Sequence, residues 1–161
     1  MAFRIGIGYD SHRFSEGRDL IIGGVKIPFE KGLLGHSDGD VLTHAIIDAL
    51  LGASHLGNIG KLFPDTDKNF KDANSIKLLR KVVELLKANN FQVVNVDSTI
   101  ILEKPKISPW IDKVEKSLSS ALEIPLTGIS VKPKTNEQMG FIGRGEGVAA
   151  LAICLLEEKI L

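Results

Sequence analysis

The stretch FRIGIGYDSHRF, residues 3 to 14, predicts an opening β-strand that ends in a polar segment. Side chains two apart in a strand point to the same side, so Asp10 and His12 can direct a carboxylate oxygen and an imidazole nitrogen at one point. That geometry suits two ligands of one metal ion. The plain alternative is that Asp10 caps a turn and His12 is a partly exposed loop residue.

A second polar segment, HSDGD at residues 36 to 40, is followed by His44 on a predicted helix. Three of the four histidines and several carboxylates therefore fall near a strand end and a helix start. His44 and Asp48 are four residues apart and share a helix face, so His44 can bind a metal through one nitrogen while Asp48 orients the other. The alternative is a His–Asp pair on the helix surface.

Asp10, His12 and His44 give three protein ligands, the number that leaves a tetrahedral zinc one open position for water or substrate. A structural zinc would require four. Oxygen and nitrogen ligands also suit manganese or iron, so these residues alone do not select the metal.

The rest of the chain predicts one α/β domain over residues 1–161. Two short β-rich pieces flank Gly23 and Gly24, a helix begins near Asp40, and a long polar loop of a kind that is often functional runs from residue 57 to 74. An amphipathic helix (75–90), a long β-rich run (91–104), a helix opened by Pro109 and a strand (128–134) follow. The apolar run 148–158 suits either a helix or a buried strand.

Composition narrows the functional classes. Lys plus Arg and Asp plus Glu each total 20, so no overall charge favours binding to nucleic acid or to an anionic membrane. No window approaches the roughly 20 apolar residues of a membrane span. The single cysteine, Cys154, lies in an apolar run and is interpreted as a core residue. We expect a cytoplasmic protein, or a plastid-type organelle protein if a transit peptide has been removed.

A third polar segment, KPKTNEQMGFIGRGEG at residues 132–147, offers donors that suit a polyphosphate. Glu137 could supply a single carboxylate to magnesium, which usually shares phosphate oxygens with its protein ligand. The alternatives are that Glu137 is a solvated surface acid and that GRGEG is a turn with a structural Arg–Glu pair.

Taken in order, the blocks GYDSHRF, IGGVKIP, EKGLLGHSDGDVLTHAIIDALLGA, GNIGKLFPDTD, NVDSTIILEKPKI and TNEQMGFIGRGEG closely resemble the 2-C-methyl-D-erythritol 2,4-cyclodiphosphate synthase family. The resemblance covers nearly the whole chain. It implies a phosphorus–oxygen lyase of the non-mevalonate (MEP) isoprenoid pathway. Such an enzyme converts 4-diphosphocytidyl-2-C-methyl-D-erythritol 2-phosphate into the cyclic diphosphate and releases CMP.

The resemblance also implies a fold and an assembly. The expected fold is a ferredoxin-like α/β (α+β) sandwich with a mixed sheet and helices on its outer face, in which the run 148–158 is a strand. The expected assembly is a homotrimer with active sites between subunits and a central cavity associated with isoprenoid diphosphates.

For the site, the resemblance implies Zn2+ on Asp10, His12 and His44, and Mg2+ or Mn2+ helped by Glu137. His36 and Thr135 match positions credited with stabilising the transition state. Residues expected to contact the phosphates and the methylerythritol portion are His36, Ser37, Asn58, Ile59, Gly60, Phe63, Pro64, Asp65, Thr66 and Asp67. Those expected to surround the cytidine are Leu102, Lys104, Pro105, Lys106, Ile107, Ser108, Lys134, Thr135 and Asn136, while Phe141 and Arg144 match the central-cavity block.

Three positions depart from the family pattern. Asn58 stands where aspartate is usual and can hydrogen-bond a substrate hydroxyl without bringing charge. Lys134 replaces a hydroxyl donor by a flexible cation. Gln138 stands where lysine is common, and nothing in the sequence attaches a consequence to it.

Two other functions compete with the synthase. One is a zinc-dependent phosphohydrolase that uses a metal-bound water as its nucleophile. The other is a non-catalytic trimeric protein that binds isoprenoid diphosphates. The first predicts inorganic phosphate or an opened diphosphate as product, and the second predicts ligand binding without release of CMP.

Overall fold

A computed structural model describes residues 2–159 of the chain. Its strands are β1 (Ala2–Ser15), β2 (Leu20–Ile22), β3 (Val25–Ile27), β4 (Gly32–Leu33), β5 (Phe91–Ile101), β6 (Ile129–Lys134) and β7 (Gly147–Glu158). Its helices are α1 (Val41–Ser54), α2 (Ile59–Leu62), α3 (Ser75–Ala88), α4 (Ile111–Leu122) and α5 (Gly140–Gly143). A 3-10 turn over Ser108–Trp110 precedes α4, so the α-helix predicted to open at Pro109 begins two residues later.

The main sheet has the order β4-β1-β7-β5-β6, and β2 and β3 form a separate hairpin. Only the β5–β6 pair is parallel among the pairings of the described strands. Since β1 and β5 are both antiparallel to β7, the ends of β1, β5 and β6 that carry the predicted site residues lie at the same edge of the sheet. The mixed sheet and the helices packed on it confirm the predicted fold class.

The run 148–158, ambiguous from its residues alone, lies in strand β7 as the family resemblance implied. Ala150, Ala152 and Cys154 are buried, whereas Leu151 and Ile153 between them are exposed. This alternation has the two-residue period of a strand that is covered on one face.

Helix α1 packs directly on the backbone of β1 because the strand has glycine, with no side chain, where they meet. A Cβ added to Gly6 would lie 1.9 Å from the carbonyl oxygen of Ala49. Larger side chains at this point would separate the two elements, so the glycines of the opening motif set the distance between α1 and the polar end of β1.

The N-terminus of α1 is fixed by Asp40, whose side chain is fully buried. Its carboxylate accepts hydrogen bonds from the Gly23 and Gly24 N–H groups at 2.9 and 2.7 Å, and from the N–H and hydroxyl of Thr43 at 3.1 and 2.8 Å. Burial, followed by the charge of Asp38, raises the pKa of Asp40 above its ordinary value although these bonds oppose the shift. One carboxylate thus joins the β2–β3 hairpin to the helix that carries His44.

The face of the sheet opposite the helices, here called the open face, carries a cluster of exposed apolar side chains. Ile5 and Ile7 of β1 are 75% and 69% exposed, and Ile7 is paired with Ile153 of β7. The cluster comprises Phe3, Ile5, Ile7, Tyr9, Leu151 and Ile153. Exposed apolar clusters of this kind mark interaction surfaces in soluble proteins.

The helices within residues 2–159 all fall short of the length and apolarity needed to cross a membrane.

Candidate metal centre and active-site cavities

Asp10, His12 and His44 meet at one point between β1 and α1. The Asp10 Oδ2 atom lies 2.9 Å from His12 Nε2 and 3.1 Å from His44 Nδ1, and the two nitrogens are 3.2 Å apart. A tetrahedral zinc with bonds of ~2.0–2.1 Å separates its ligand atoms by roughly 3.3 Å. The three donors therefore fit a small divalent cation in both type and spacing.

Strand geometry explains the first two ligands. Asp10 and His12 follow the small residues of β1 on the face that meets α1, as the two-residue spacing predicted. His44 lies in the first turn of α1, where its N–H donates to the Asp40 carbonyl at 3.0 Å. The third ligand is thus placed by the same helix start that Asp40 fixes.

The tautomer of His12 follows from its backbone partner. His12 Nδ1 lies 2.7 Å from the carbonyl oxygen of Leu34, which can only accept a hydrogen bond. Nδ1 therefore carries a proton and donates, and in the neutral ring this leaves the lone pair of Nε2 directed at Asp10 and the metal position.

The Asp10 carboxylate and the two imidazoles stabilise one another's charges. Burial raises the pKa of Asp10, but hydrogen bonds to His12 and His44, with the attraction of their charges, outweigh burial and lower it to about 2. Burial likewise lowers the pKa of His12, yet the Asp10 carboxylate and the Leu34 carbonyl raise it above its ordinary value overall. Asp10 is therefore an anion at neutral pH, as a metal ligand must be.

The structure corrects the predicted partner of His44. Asp48 does not orient this imidazole, because its carboxylate accepts the Ile59 N–H at 2.7 Å at the start of α2. The Nε2 atom of His44 instead lies 2.8 Å from Ser75 Oγ and 3.0 Å from Ser37 Oγ. Asp48 thus positions the loop that follows α1.

A cavity of about 260 Å³ opens beside the metal centre. Phe63, which packs edge-on against Phe70, supplies part of an apolar wall opposite the three ligands. Predicted site residues that line the cavity are Asp10, His12, His36, Ser37, His44, Ile59, Gly60, Phe63 and Asp65, and the sequence reasoning missed Gly35, Phe70 and Leu78.

Other predicted residues of the loop support this cavity without lining it. Asn58 caps α2 by accepting the Lys61 N–H at 2.9 Å. The Asp67 carboxylate accepts the Asn69 N–H at 2.9 Å, while its carbonyl oxygen lies 3.3 Å from His36 Nε2. Pro64 and Thr66 lie between lining residues and do not line the cavity themselves.

A second cavity, of about 310 Å³, lies at the ends of β5 and β6. It contains predicted cytidine residues Leu102, Pro105, Lys106, Ile107, Ser108, Lys134 and Thr135, together with Glu103 and Pro133. Lys104 and Asn136 were predicted for this region but do not line it. Most of the residues predicted to surround the cytidine therefore line one cavity, and their role in binding cytidine stays a prediction.

Glu103 lies inside the stretch predicted to surround the cytidine, but no role was predicted for it from the sequence. Its Oε1 atom accepts the N–H groups of Asn136 and Gln138 at 2.9 and 3.2 Å. Glu137 between them has a φ of 52°, in the left-handed region that is uncommon for non-glycine residues. Glu103 therefore holds a strained loop on which Thr135 and Glu137 sit.

Glu137 is separate from the metal centre, whereas Phe141 lines a concavity that reaches the ligand His12. Glu137 does not belong to the Asp10–His12–His44 cluster. This concavity has a volume of about 770 Å³ and is also lined by Arg13 and Lys31. Arg144 is exposed and donates to Glu146 at 2.6 Å; this pairing raises the pKa of Arg144 and lowers that of Glu146.

The mixed sheet with helices on one face, together with the Asp10–His12–His44 cluster, defines this chain as an α+β protein with a candidate three-ligand metal site beside a cavity. The model of the YgbB family matches residues 3–157, and the chain belongs to that family.

Relatives over nearly the full length specify the activity. A 2-C-methyl-D-erythritol 2,4-cyclodiphosphate synthase from Clostridium acetobutylicum is 56% identical over 153 residues, which cover 95% of this chain and 99% of the relative. One from Clostridium perfringens is 58% identical over 95% of this chain and 98% of the relative. The family resemblance drawn from the sequence blocks, and the lyase activity it implied, are confirmed.

Solved structures agree with this assignment. The bifunctional IspDF from Campylobacter jejuni matches with a TM-score of 0.94 and 40% identity over 98% of this chain, which spans 43% of that longer protein. An IspF from Plasmodium falciparum in complex with CDP matches with a TM-score of 0.86 and 39% identity over 99% of this chain and 98% of that one.

Proposed function

We propose that this chain converts 4-diphosphocytidyl-2-C-methyl-D-erythritol 2-phosphate into 2-C-methyl-D-erythritol 2,4-cyclodiphosphate with release of CMP, in the MEP pathway of isoprenoid synthesis. The observation that carries the proposal is the convergence of Asp10, His12 and His44 beside a cavity, in a chain more than half identical to enzymes named for this product.

In the reaction, an oxygen of the substrate's own 2-phosphate attacks the β-phosphorus of its diphosphate. A new P–O bond closes the ring, and the bond from the β-phosphorus to the bridging oxygen breaks, so that CMP leaves with that oxygen. No covalent enzyme intermediate is required. The protein's work is to bring the two phosphates together in line and to stabilise the charge that develops on them.

The chain's own donors suit this task. Ser37 lies at the metal centre, and its Oγ can accept from the Gly39 N–H and from His44 Nε2. Its single proton then remains to be donated into the cavity, where a phosphate oxygen can accept it. His36, on the same cavity wall, and Thr135, on the second cavity, are proposed to stabilise the transition state.

We assign Zn2+ to Asp10, His12 and His44, and Mg2+ or Mn2+ to a site that Glu137 helps to form with substrate phosphates. When bound, the two cations supply Lewis-acid stabilisation of the phosphate charge and hold the diphosphate in place. The spacing of the three ligand atoms supports the first assignment. The second rests on family resemblance and on the exposed carboxylate of Glu137 in its strained loop.

We further propose a homotrimer with active sites between subunits. The metal cavity and the second cavity share no lining residue. The two cavities lie at opposite sides of the sheet, on β1 and on β6. Residues pair across it in the order Ser11, Ala149, Ile101 and Lys134. Three strand spacings, roughly 14 Å, therefore separate the two cavities within one chain. A neighbouring copy that packs on the open face could bring its own second cavity to the metal centre.

The proposal extends to a ligand of the central cavity and to the cellular location. Phe141 and Arg144, beside the wide concavity, are proposed to contribute to a central cavity that can hold an isoprenoid diphosphate. A cytoplasmic location, or a plastid-type organelle after removal of a transit peptide, remains a prediction.

The test is phosphorus NMR of the protein with the cytidyl diphosphate substrate and magnesium, before and after zinc is removed and restored. We expect a cyclic diphosphate and CMP only when zinc is present. Inorganic phosphate or an opened diphosphate would indicate a phosphohydrolase instead, and an unchanged spectrum would indicate a binding protein.

Matched variants connect this activity to the assigned ligands. His12→Asn removes one ligand, whereas His55→Asn changes an exposed histidine at the end of α1 whose left-handed backbone asparagine tolerates. We expect loss of zinc and of CMP release together in the first variant and neither loss in the second. Normal turnover by a zinc-free His12→Asn protein would contradict the ligand assignment.

A further inference from the structure

The buried serine at the start of α3 contacts the metal centre from behind. Ser75 is fully buried, and its Oγ lies 2.8 Å from the Nε2 atom of His44, on the side of the imidazole away from Asp10. On its other side, Ser75 interacts with Asp38 of the HSDGD segment through both its hydroxyl and its N–H, the latter at 2.9 Å. The chain Asp38–Ser75–His44 therefore runs from a carboxylate to a metal ligand.

The direction of each hydrogen bond in this chain is fixed by proton counting. A serine hydroxyl has one proton, and a carboxylate can only accept, so the proton of Ser75 is committed to Asp38. Towards His44 the Ser75 oxygen can then only accept. The Ser75 oxygen therefore favours a proton on His44 Nε2, and in the neutral ring this leaves the Nδ1 lone pair facing Asp10 and His12.

Ser37 does not impose the same restriction. Its oxygen is 3.0 Å from the same nitrogen, but no acceptor within the described residues holds its proton. Ser37 can therefore either accept from His44 Nε2 or donate to it. On the Nε2 side of the ring, only Ser75 discriminates between the two tautomers. On the Nδ1 side, the Asp10 carboxylate accepts a proton when no metal is bound and so favours the opposite tautomer.

We propose that Ser75, held by Asp38, is a positioning residue that fixes the tautomer and ring orientation of His44, so that Nδ1 is presented to the metal. The inference rests on the proposed metal site. Ser75 would act on His44 as the Leu34 carbonyl acts on His12, because each accepts the proton of the ring nitrogen that faces away from the metal position. Loss of a partner of this kind typically weakens metal binding by ~10–100-fold.

The experiment compares Ser75→Ala with Ser54→Ala. Ser54 is also buried, and its hydroxyl donates to the Leu50 and Leu51 carbonyls at the far end of α1, away from the metal centre. Both variants lose one buried hydroxyl, and circular dichroism and sedimentation verify that each is folded and assembled like the parent. Zinc affinity is measured by competition with a chelator, and histidine tautomers by ¹⁵N NMR of the metal-free proteins at an alkaline pH at which the spectra show neutral imidazole rings.

We expect the parent and Ser54→Ala to show His44 in one tautomer with its proton on Nε2. Ser75→Ala should shift the proton of His44 towards Nδ1, because Asp10 accepts there and Ser37 can donate to Nε2. The variant should also bind zinc ~10–100-fold more weakly. The proposal is overturned if Ser75→Ala keeps both the parental tautomer and the parental zinc affinity, or if the parent itself carries the proton on Nδ1.

A second variant covers the case in which Ser75→Ala fails to fold. Asp38→Asn keeps the Ser75 hydroxyl but weakens the acceptor of its proton. We therefore expect a smaller shift in the His44 tautomer and a smaller loss of zinc affinity than in Ser75→Ala. A parental tautomer together with a parental zinc affinity would overturn the proposal. The tautomer is read without metal. Failure of the parent to bind zinc would therefore refute the proposed metal site while the NMR still decides the role of Ser75.

Discussion

The carbonyl oxygen of Ala45 in α1 lies where it would be 1.9 Å from a Cβ atom at Gly8 of β1. Real side chains do not tolerate such an approach to a backbone atom, so glycine at this position is a condition for α1 to lie on the strand. Because His44 precedes Ala45, the same contact sets the distance between the third metal ligand and Asp10.

Gly8→Ala should therefore separate α1 from β1. We expect a loss of ~2–4 kcal/mol in the free energy of unfolding, within the range of large steric effects, together with weaker zinc binding. Gly52→Ala is the matched control, because a Cβ there meets no atom within 4 Å and α1 should gain ~0.5–1 kcal/mol. Denaturant unfolding and chelator competition measure both effects. Equal stabilities of the two variants would refute this account of the packing.

Asp40→Asn should destabilise the fold because both carboxylate oxygens of Asp40 accept hydrogen bonds. The amide would turn one acceptor into an NH₂ group that faces a backbone or hydroxyl donor, at a cost of ~1–3 kcal/mol. Asp112→Asn, at an exposed position in the first turn of α4, should cost less than ~1 kcal/mol. Thermal unfolding of the two variants provides the comparison, and similar losses would show that the buried bonds contribute little.

Ile5→Lys should prevent assembly of the proposed trimer. It places a charge in the middle of the open face, where burial by a neighbouring copy would require the lysine to lose its hydration. Leu126→Lys changes another exposed apolar residue, outside the open-face cluster, and should leave the assembly intact. Sedimentation velocity distinguishes the outcomes. A monomeric parent, or a trimeric Ile5→Lys protein, would argue against this face as the interface.

Glu103→Ala should weaken nucleotide binding because it releases the loop that carries Thr135 and Glu137. Loss of two bonds to a charged acceptor would account for about a tenfold weaker affinity for CMP, while zinc content should not change. Glu115→Ala removes a similar bond, from its carboxylate to the Val131 N–H at 3.0 Å, and is expected to lower stability without affecting CMP. Calorimetry with CMP tests the pair, and equal affinities would remove the positioning role of Glu103.

Cys154 should react slowly with thiol reagents in the folded protein. Burial raises its pKa to about 11 from an ordinary value of 9.0, so its thiolate fraction at pH 8 is roughly a hundredfold smaller than in the unfolded chain. The folded thiol keeps its proton where the unfolded one loses it, so this residue lowers the free energy of unfolding as pH rises from 9.0 to about 11. Labelling with and without denaturant checks the first expectation, and fast labelling of native protein would contradict it.

Several features were determined by the sequence itself. The two-residue spacing of Asp10 and His12 was enough to predict that both point to one side of a strand, because strand periodicity is a local property. The helix start near Asp40 and the amphipathic helix predicted over residues 75–90, which the structure ends at Ala88, also follow from local pattern. The family blocks then supplied the fold and the activity, since they extend over nearly the whole chain.

Only the tertiary structure decided which distant groups meet. Helical spacing paired His44 with Asp48, but the loop after α1 brings the Ile59 N–H to Asp48, and α3 brings Ser75 to His44 from 31 residues away. Glu103 likewise acquires its role only when β5 and β6 pair and place Asn136 beside it. Local sequence sets dihedral angles and faces, whereas the partner of a buried polar atom depends on how separate elements pack to satisfy it.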